Sequence, residues 1–349
     1  MFSIDAITRK NIRELTPYSS ARREFNGQAK VWLDANENPF ETGWNRYPDP
    51  DQSELKKAIA EWKGVNDAQV FVGNGSDEII DLLFRAFCEP QVDKAFVFTP
   101  TYGMYEVSAK VNNVNVVKLS LRDDFGIPSL RGVIEKFRCK GLLFICSPNN
   151  PTGTVHTLES IQEIAENFDG LVVVDEAYID FSDSPSAINL LNETPNLVVL
   201  QTLSKAYGLA GLRLGMAFSS RPVIDVLNKI KPPYNVNTLS QRRSIEALKS
   251  NEVALQQIKE IKSQREWLRK ALKDIPLVES VYPSEANFLL ARFHDADSVF
   301  NALLKNGIVV RNRTSQIANC LRITIGTSEQ NQLLINSLKS IKNEESTIY

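Results

Sequence analysis

Lys205 stands just past an apolar run, Leu197–Leu200, in the stretch NLVVLQTLSKAYGLAGLRLG. An ε-amine beyond a buried strand sits where open α/β sheets hold their ligands, and it can bond covalently to a carbonyl. Most lysines are solvated surface residues, so the argument rests on the company this one keeps. In LVVVDEAYIDF an apolar run, Leu171–Val174, ends in Asp175, where a carboxylate needs a cationic or hydrogen-bonding partner. Tyr178 follows three residues on and can turn toward the same place. In GLLFICSPNNPTG a second run ends in a turn that offers the uncharged amide of Asn150. VGNGSDEII sets Gly73 and Gly75 before a helix opened by Ser76 and Asp77. The unpaired N–H groups of such a helix start bind phosphate, and the spacing matches neither the dinucleotide fingerprint nor a Walker loop. FTPTYGMY places Tyr102 after a strand, where its ring can stack on a flat ligand.

These groups share a site only if the elements ending in them lie side by side. A strand in QVFVGNG is followed by β-rich runs at Ala95–Thr99, Val114–Leu119, Leu142–Cys146, Leu171–Asp175 and Leu197–Leu200. Helical patterns fall between several of them, including Thr157–Asn167 with Thr157 as N-cap. The alternation predicts a largely parallel sheet with right-handed crossovers. Asp51 and Glu54 read as a capping-box start for a helix with Leu55, Ala58, Ile59 and Trp62 on its apolar face. PPYN, Pro232–Asn235, breaks the pattern, and a charged helical stretch over about Thr238–Lys273 then links to a smaller α+β unit. That unit has short strands near Asn287–Ala291, Val309–Val310 and Leu321–Thr324, and a last helix opened by Thr327 and Gln330. With LTPYSSARREF read as an extended arm, the chain divides into an arm over 1–35, a large domain over 36–235 and a small one over 236–349.

Bulk composition narrows the class. The chain has 349 residues, 43% hydrophobic and 23% charged, which suits a globular protein of two unequal domains. A net charge of −2 points to neither nucleic acid nor an anionic membrane. Cys88, Cys139, Cys146 and Cys320 show no CxxC spacing, so disulfides and zinc are not expected. His156 and His294 are too isolated for a metal or a His-based triad. No leader is recognisable, and no run approaches the ~20 apolar residues of a spanning helix, so a cytoplasmic protein is expected.

One small molecule uses every group named above. Pyridoxal 5′-phosphate has an aldehyde for Lys205, a ring nitrogen for Asp175 and a ring hydroxyl for Asn150 and Tyr178. It also has a π-face for Tyr102 and a phosphate for Ser76, Ser204 and Arg213. The order GNGSDE, PTYGMY, SPNNPTG, VVVDEAYIDF, TLSKAYGLAGLRLG and LRITIGT resembles the class I/II aminotransferases of PLP-dependent fold type I. LTPYSSARR, LDANENPF and NRYPDP extend the similarity to their histidinol-phosphate branch, over nearly the whole chain. The resemblance implies an α/β fold: a mostly parallel seven-stranded sheet between helices in the large domain, and a smaller α+β domain.

It further implies that Lys205 bonds the cofactor, Asp175 pairs with the ring nitrogen, Asn150 and Tyr178 bond the ring hydroxyl, and Tyr102 stacks on the ring. Ser76, Asp77, Thr202, Ser204 and Arg213 would hold the phosphate, and Tyr47 would reach the cofactor phosphate of a partner subunit, making a homodimer with shared active sites. Arg322 would anchor the α-carboxylate of glutamate, and Tyr18 and Arg311 the substrate's phosphate or distal carboxylate. The implied substrates are histidinol phosphate and glutamate or 2-oxoglutarate, in histidine biosynthesis. The alternatives are a threonine-phosphate decarboxylase and an aromatic aminotransferase. A PLP-dependent transcription regulator would need a further DNA-binding domain, for which the chain lacks both length and basic charge.

Overall fold

The computed structural model describes residues 3–18, 29–128 and 140–341. Cys139 and most of the arm motif LTPYSSARREF, beyond Tyr18, lie outside them. Seven strands form the larger sheet: β1 (Val70–Asn74), β2 (Lys94–Thr99), β3 (Asn115–Ser120), β4 (Gly141–Cys146), β5 (Leu171–Asp175), β6 (Leu197–Thr202) and β7 (Leu214–Ser219). Their order is β1-β7-β6-β5-β4-β2-β3. β3, β2, β4, β5 and β6 pair in parallel, whereas β7 is antiparallel to both β6 and β1. Six strands therefore point the same way and deliver their C-terminal ends to one edge of the sheet.

The near-continuous apolar runs follow from burial on both faces. Along β4, Leu143 and Ile145 face one core while Leu142, Phe144 and Cys146 face the other. Along β5, Val172 and Val174 alternate with Leu171 and Val173 in the same way. Helices Ser53–Lys63 and Leu158–Glu166 cover the first face, and Ser76–Phe87, Met104–Val111 and Arg221–Ile230 cover the second. Each fully buried large side chain contributes roughly 1.5–3 kcal/mol by leaving water.

A second sheet of order β10-β11-β9-β8 is antiparallel throughout, with β8 (Val278–Val281), β9 (Phe288–Phe293), β10 (Arg311–Asn312) and β11 (Cys320–Thr324). Leu289, Ala291 and Phe293 of β9 pack with Leu321 and Ile323 of β11 under Leu268, Leu272, Leu334 and Leu338 of two helices. The last helix starts at Thr327 in the expected capping box with Gln330. Thr157 likewise caps its helix by accepting from Ser160 N–H.

Three sequence expectations are corrected. The helix at Ser53 is not capped by Asp51. Gln52 precedes it in the left-handed region, φ 48°, without capping it. Gln52 is drawn inward to donate to Asn235 Oδ1 at 3.1 Å, and Asp49 Oδ2 is left facing Ser53 N–H at 2.7 Å. The stretch Thr238–Lys273 is two helices, Thr238–Lys249 and Glu252–Lys273. Ser250 leaves helical geometry at ψ 72°, and with neither glycine nor proline at the break the apolar period runs through it unmarked. The strand placed near Val309–Val310 pairs two residues later, at Arg311–Asn312, and Val309 is exposed.

Candidate active site

β1 runs into Gly75 and Ser76, β2 leads to Tyr102, and β4 to Asn150. β5 ends at Asp175, β6 leads through Thr202 and Ser204 to Lys205, and β7 begins just after Arg213. These residues, with Asp77 and Tyr178, line one cleft.

At its floor Asp175 is 3% exposed. Its Oδ2 accepts from the Tyr105 hydroxyl at 2.7 Å and its Oδ1 from Ala177 N–H at 3.1 Å. Burial raises its pKa, and these two donors partly oppose the shift. Above it the Lys205 Nζ lies 5.7 Å from the centre of the Tyr178 ring, its side chain opening onto the cleft. Partial burial, then the Arg322 guanidinium, lower the Lys205 pKa, against the attraction of Asp175. Asn150 Nδ2 donates to the Tyr178 hydroxyl at 3.4 Å, and its Oδ1 accepts from Arg322 Nη1 at 2.5 Å. Tyr178 is wedged edge-on against Phe288 of β9, with ring centres 5.1 Å apart, so the second sheet closes this side of the cleft.

The opposite end is built for an anion. Helix Ser76–Phe87 starts at Gly75 with no side-chain cap, which leaves the N–H groups of its first turn directed at the cleft. Gly75 has φ +82°, and a Cβ on it would stand 2.6 Å from Arg213 Nη2. A Cβ on Gly215 would stand 2.3 Å from Ser76 N, so glycine there lets β7 close on the helix start. Ser204 N–H bonds the Thr202 hydroxyl at 3.1 Å, which folds the loop toward the same end. Arg213, itself at φ 55°, is 3.8 Å from Asp77, whose Oδ1 accepts from the Tyr102 hydroxyl at 3.1 Å.

Sequence-based candidates outside the lining of this cleft are Arg322, which meets it through Asn150, and Tyr18, Tyr47 and Arg311. Tyr47 is 51% exposed and stacks on Tyr234 with ring centres 4.5 Å apart, away from Lys205. Tyr18 is 68% exposed beside Pro50 and Lys231. Arg311 is exposed opposite Arg322 in the β10–β11 pairing. Two residues escaped sequence reasoning. Arg313 is taken up below. Tyr105 occupies an apolar-looking helix position three residues after Tyr102, and nothing local marks its reach to Asp175. Tyr105→Phe removes a donor from a buried carboxylate, so the Asp175 pKa rises further. The acid limb of kcat/KM then moves up by about one pH unit, measured on an otherwise intact fold. An unmoved limb would show that the hydroxyl only fills space.

The donor set fits pyridoxal 5′-phosphate. Asp175 is a buried carboxylate that forms no ion pair among the described residues, and a pyridinium N–H would complete it. The uncapped helix start, the Ser76 and Ser204 hydroxyls and Arg213 form a cradle for a dianion.

Comparison with known proteins agrees. A family model described as aminotransferase class I and II matches residues 21–338. A histidinol-phosphate aminotransferase of Flavobacterium johnsoniae is 52% identical over 344 residues, covering 97% of this chain and 98% of that protein. The crystal structure of a histidinol-phosphate aminotransferase from Sinorhizobium meliloti, in complex with pyridoxal-5′-phosphate, superposes with a TM-score of 0.77 at 23% identity, covering 84% of this chain and 82% of that one. An L-threonine-O-3-phosphate decarboxylase from Porphyromonas gingivalis superposes at 0.72 with 22% identity, over 84% of this chain and 90% of that one. Likeness at that level speaks for the fold alone.

Proposed function

The chain belongs to the class I and II aminotransferases, and from that membership we propose that it transfers an amino group between L-histidinol phosphate and 2-oxoglutarate, giving imidazole acetol phosphate and glutamate. The observation that carries the substrate class is the contact of Arg322 with Asn150, which sets a guanidinium with no carboxylate partner among the described residues beside the amine of Lys205. An amine-reactive centre is thereby joined to an anchor for an anionic group. The 52% identity to a histidinol-phosphate aminotransferase over 97% of the chain supports the same reading, a step of histidine biosynthesis.

Pyridoxal 5′-phosphate, when bound, supplies an aldehyde that captures amines and a ring that draws electron density from the carbon bearing the amine. Lys205 holds it at rest. With its Nζ free, the same residue would take the proton from the substrate carbon that carries nitrogen. Burial and Arg322 favour the neutral, basic form of that amine. Asp175 would hold a proton on the ring nitrogen, Asn150 and Tyr178 would bond the ring hydroxyl, and Tyr102 would pack on the ring face. Ser76, Asp77 N–H, Thr202, Ser204 and Arg213 take the phosphate. Arg322 fixes the anionic end of the substrate, so that the carbon to be deprotonated faces Lys205.

The arm and NRYPDP complete the assembly as a homodimer with shared active sites. Tyr47 reaches the cofactor phosphate of a partner subunit, and Tyr18 and Arg311 reach substrate. Supporting this, Val31, Leu33, Phe40 and Trp44 are all more than half exposed, an apolar surface suited to burial against a second chain. The same division into an arm (1–35), a large domain (36–235) and a small domain (236–349) accompanies it, in a cytoplasmic protein.

Purified protein given histidinol phosphate and 2-oxoglutarate should form glutamate, with kcat/KM at least about 10²-fold above that for phenylalanine. Carbon dioxide release from threonine phosphate without 2-oxoglutarate consumption would replace the reading with a decarboxylase.

A further inference from the structure

β10 and β11 place three guanidinium groups on one face of the small sheet. Arg311 lies opposite Arg322 in the antiparallel register. Arg313 N–H donates to Cys320 O at 2.9 Å, so the extended pairing continues one residue past β10 and sets Arg313 opposite Cys320, two residues from Arg322. With side chains alternating along a strand, residues 311, 313, 320 and 322 share a face. Asn312 between them turns the other way and donates to Asp297 Oδ1 at 2.6 Å. The shared face is the one toward the cleft: Arg322 reaches Asn150, and its guanidinium carbon lies 5.2 Å from the centre of the Phe288 ring.

Arg313 is half-buried, and its Nε is buried without a hydrogen-bond partner, as is the Nε of Arg322. Burial lowers the Arg313 pKa to about 10, and the charges of Arg322 and Arg311 add to the effect. The Tyr178 hydroxyl is the opposing influence, and no carboxylate among the described residues acts on it. Three like charges held together, with two buried donors unmet, make a site that is incomplete without an anion. The charge is more than a single carboxylate needs.

We propose that Arg313 is a specificity-determining residue, the third guanidinium of this cluster, which favours a dianionic phosphate ester over a monoanionic carboxylate in the same pocket. The inference rests on the function proposed above, in which one pocket serves histidinol phosphate in one half-reaction and glutamate in the other. The physical basis is charge. Removing one cation costs a ligand in proportion to the charge it carries, so a factor x lost by a monoanion becomes roughly x² for a dianion. A planar fork also matches two phosphate oxygens at once, which an ammonium does not.

The test uses holoenzyme dimers of wild type, Arg313→Gln and Arg313→Lys, with each half-reaction followed separately. Arg313→Gln should raise KM for histidinol phosphate about 25-fold and for glutamate about 5-fold, with kcat nearly unchanged in both. Arg313→Lys should fall between. Inorganic phosphate, a competitive inhibitor of the wild type in this scheme, should lose affinity in Arg313→Gln, while a monocarboxylate such as butyrate loses much less. Equal losses for phosphate and carboxylate ligands, or none, would overturn the role of Arg313 while leaving the aminotransferase reading intact. A wild type that does not turn over histidinol phosphate would instead defeat that reading. A variant whose kcat falls in both half-reactions with KM unchanged would assign Arg313 a structural role.

Discussion

Lys205→Ala holoenzyme loses the visible absorbance of lysine-bound cofactor, and its turnover drops by about 10⁴-fold or more. The argument is positional. Lys205 carries the amine that faces the Tyr178 ring at 5.7 Å and acts electrostatically on Asp175, and its proton affinity is lowered by burial and by Arg322. Among the described residues no second lysine lines the cleft to take over either task. Lys205→Arg separates chemistry from charge. A guanidinium keeps the positive charge but neither bonds an aldehyde this way nor gives up its proton at working pH. It should therefore fail almost as badly as alanine. Stability should hardly change in either variant, because the side chain opens onto the cleft and forms no hydrogen bond among the described residues. A purified alanine variant with cofactor bound and near-normal colour and turnover would remove the centre of the mechanism.

The cleft was legible in the sequence because a buried strand makes its own end conspicuous. Val172 to Val174 are apolar on both faces, so the first charged residue, Asp175, marks where the strand leaves the core. The same contrast exposes Thr202 after Leu197–Leu200 and Asn150 after Leu142–Cys146. β7 was harder to see. Leu214–Ser219 reads LGMAFS, with a glycine, an alanine and no β-branched residue, and its Gly215 packs against the start of helix Ser76–Phe87, where a Cβ does not fit. Asp49 could not be chosen over Asp51 as the cap without knowing that Gln52 turns inward to Asn235, a contact across 183 positions. Tyr105 and Arg313 belong to the same class. Each looks locally ordinary, a core aromatic and a surface arginine, and each acquires its role from a residue on another element: Asp175, 70 positions on, for the first, and Arg322 on the neighbouring strand for the second.

Asp175→Asn should lower kcat by about 10²–10⁴-fold with a smaller change in KM. The carboxylate is buried, and the fold offsets its charge with two hydrogen bonds, from Tyr105 and Ala177, and with the weaker attraction of Lys205. Opposite a protonated ring nitrogen it would form a buried pair. Removing one member of such a pair costs about 3–5 kcal/mol, which at 1.36 kcal/mol per decade sets the range above. Asparagine fills the same volume and still accepts from Ala177 N–H, so the fold should survive. Relief of the buried charge should even offset part of the lost contact with Tyr105. The double variant then identifies the mechanism. In wild type the Tyr105 hydroxyl matters because it stabilises a charge, so Tyr105→Phe shifts the acid limb. In the Asp175→Asn background there is no charge to stabilise, and the same change should do almost nothing. Additive effects of the two substitutions would mean that Tyr105 acts on the cleft by a route other than Asp175. An asparagine variant within about threefold of wild type would mean that the ring nitrogen needs no proton held on it.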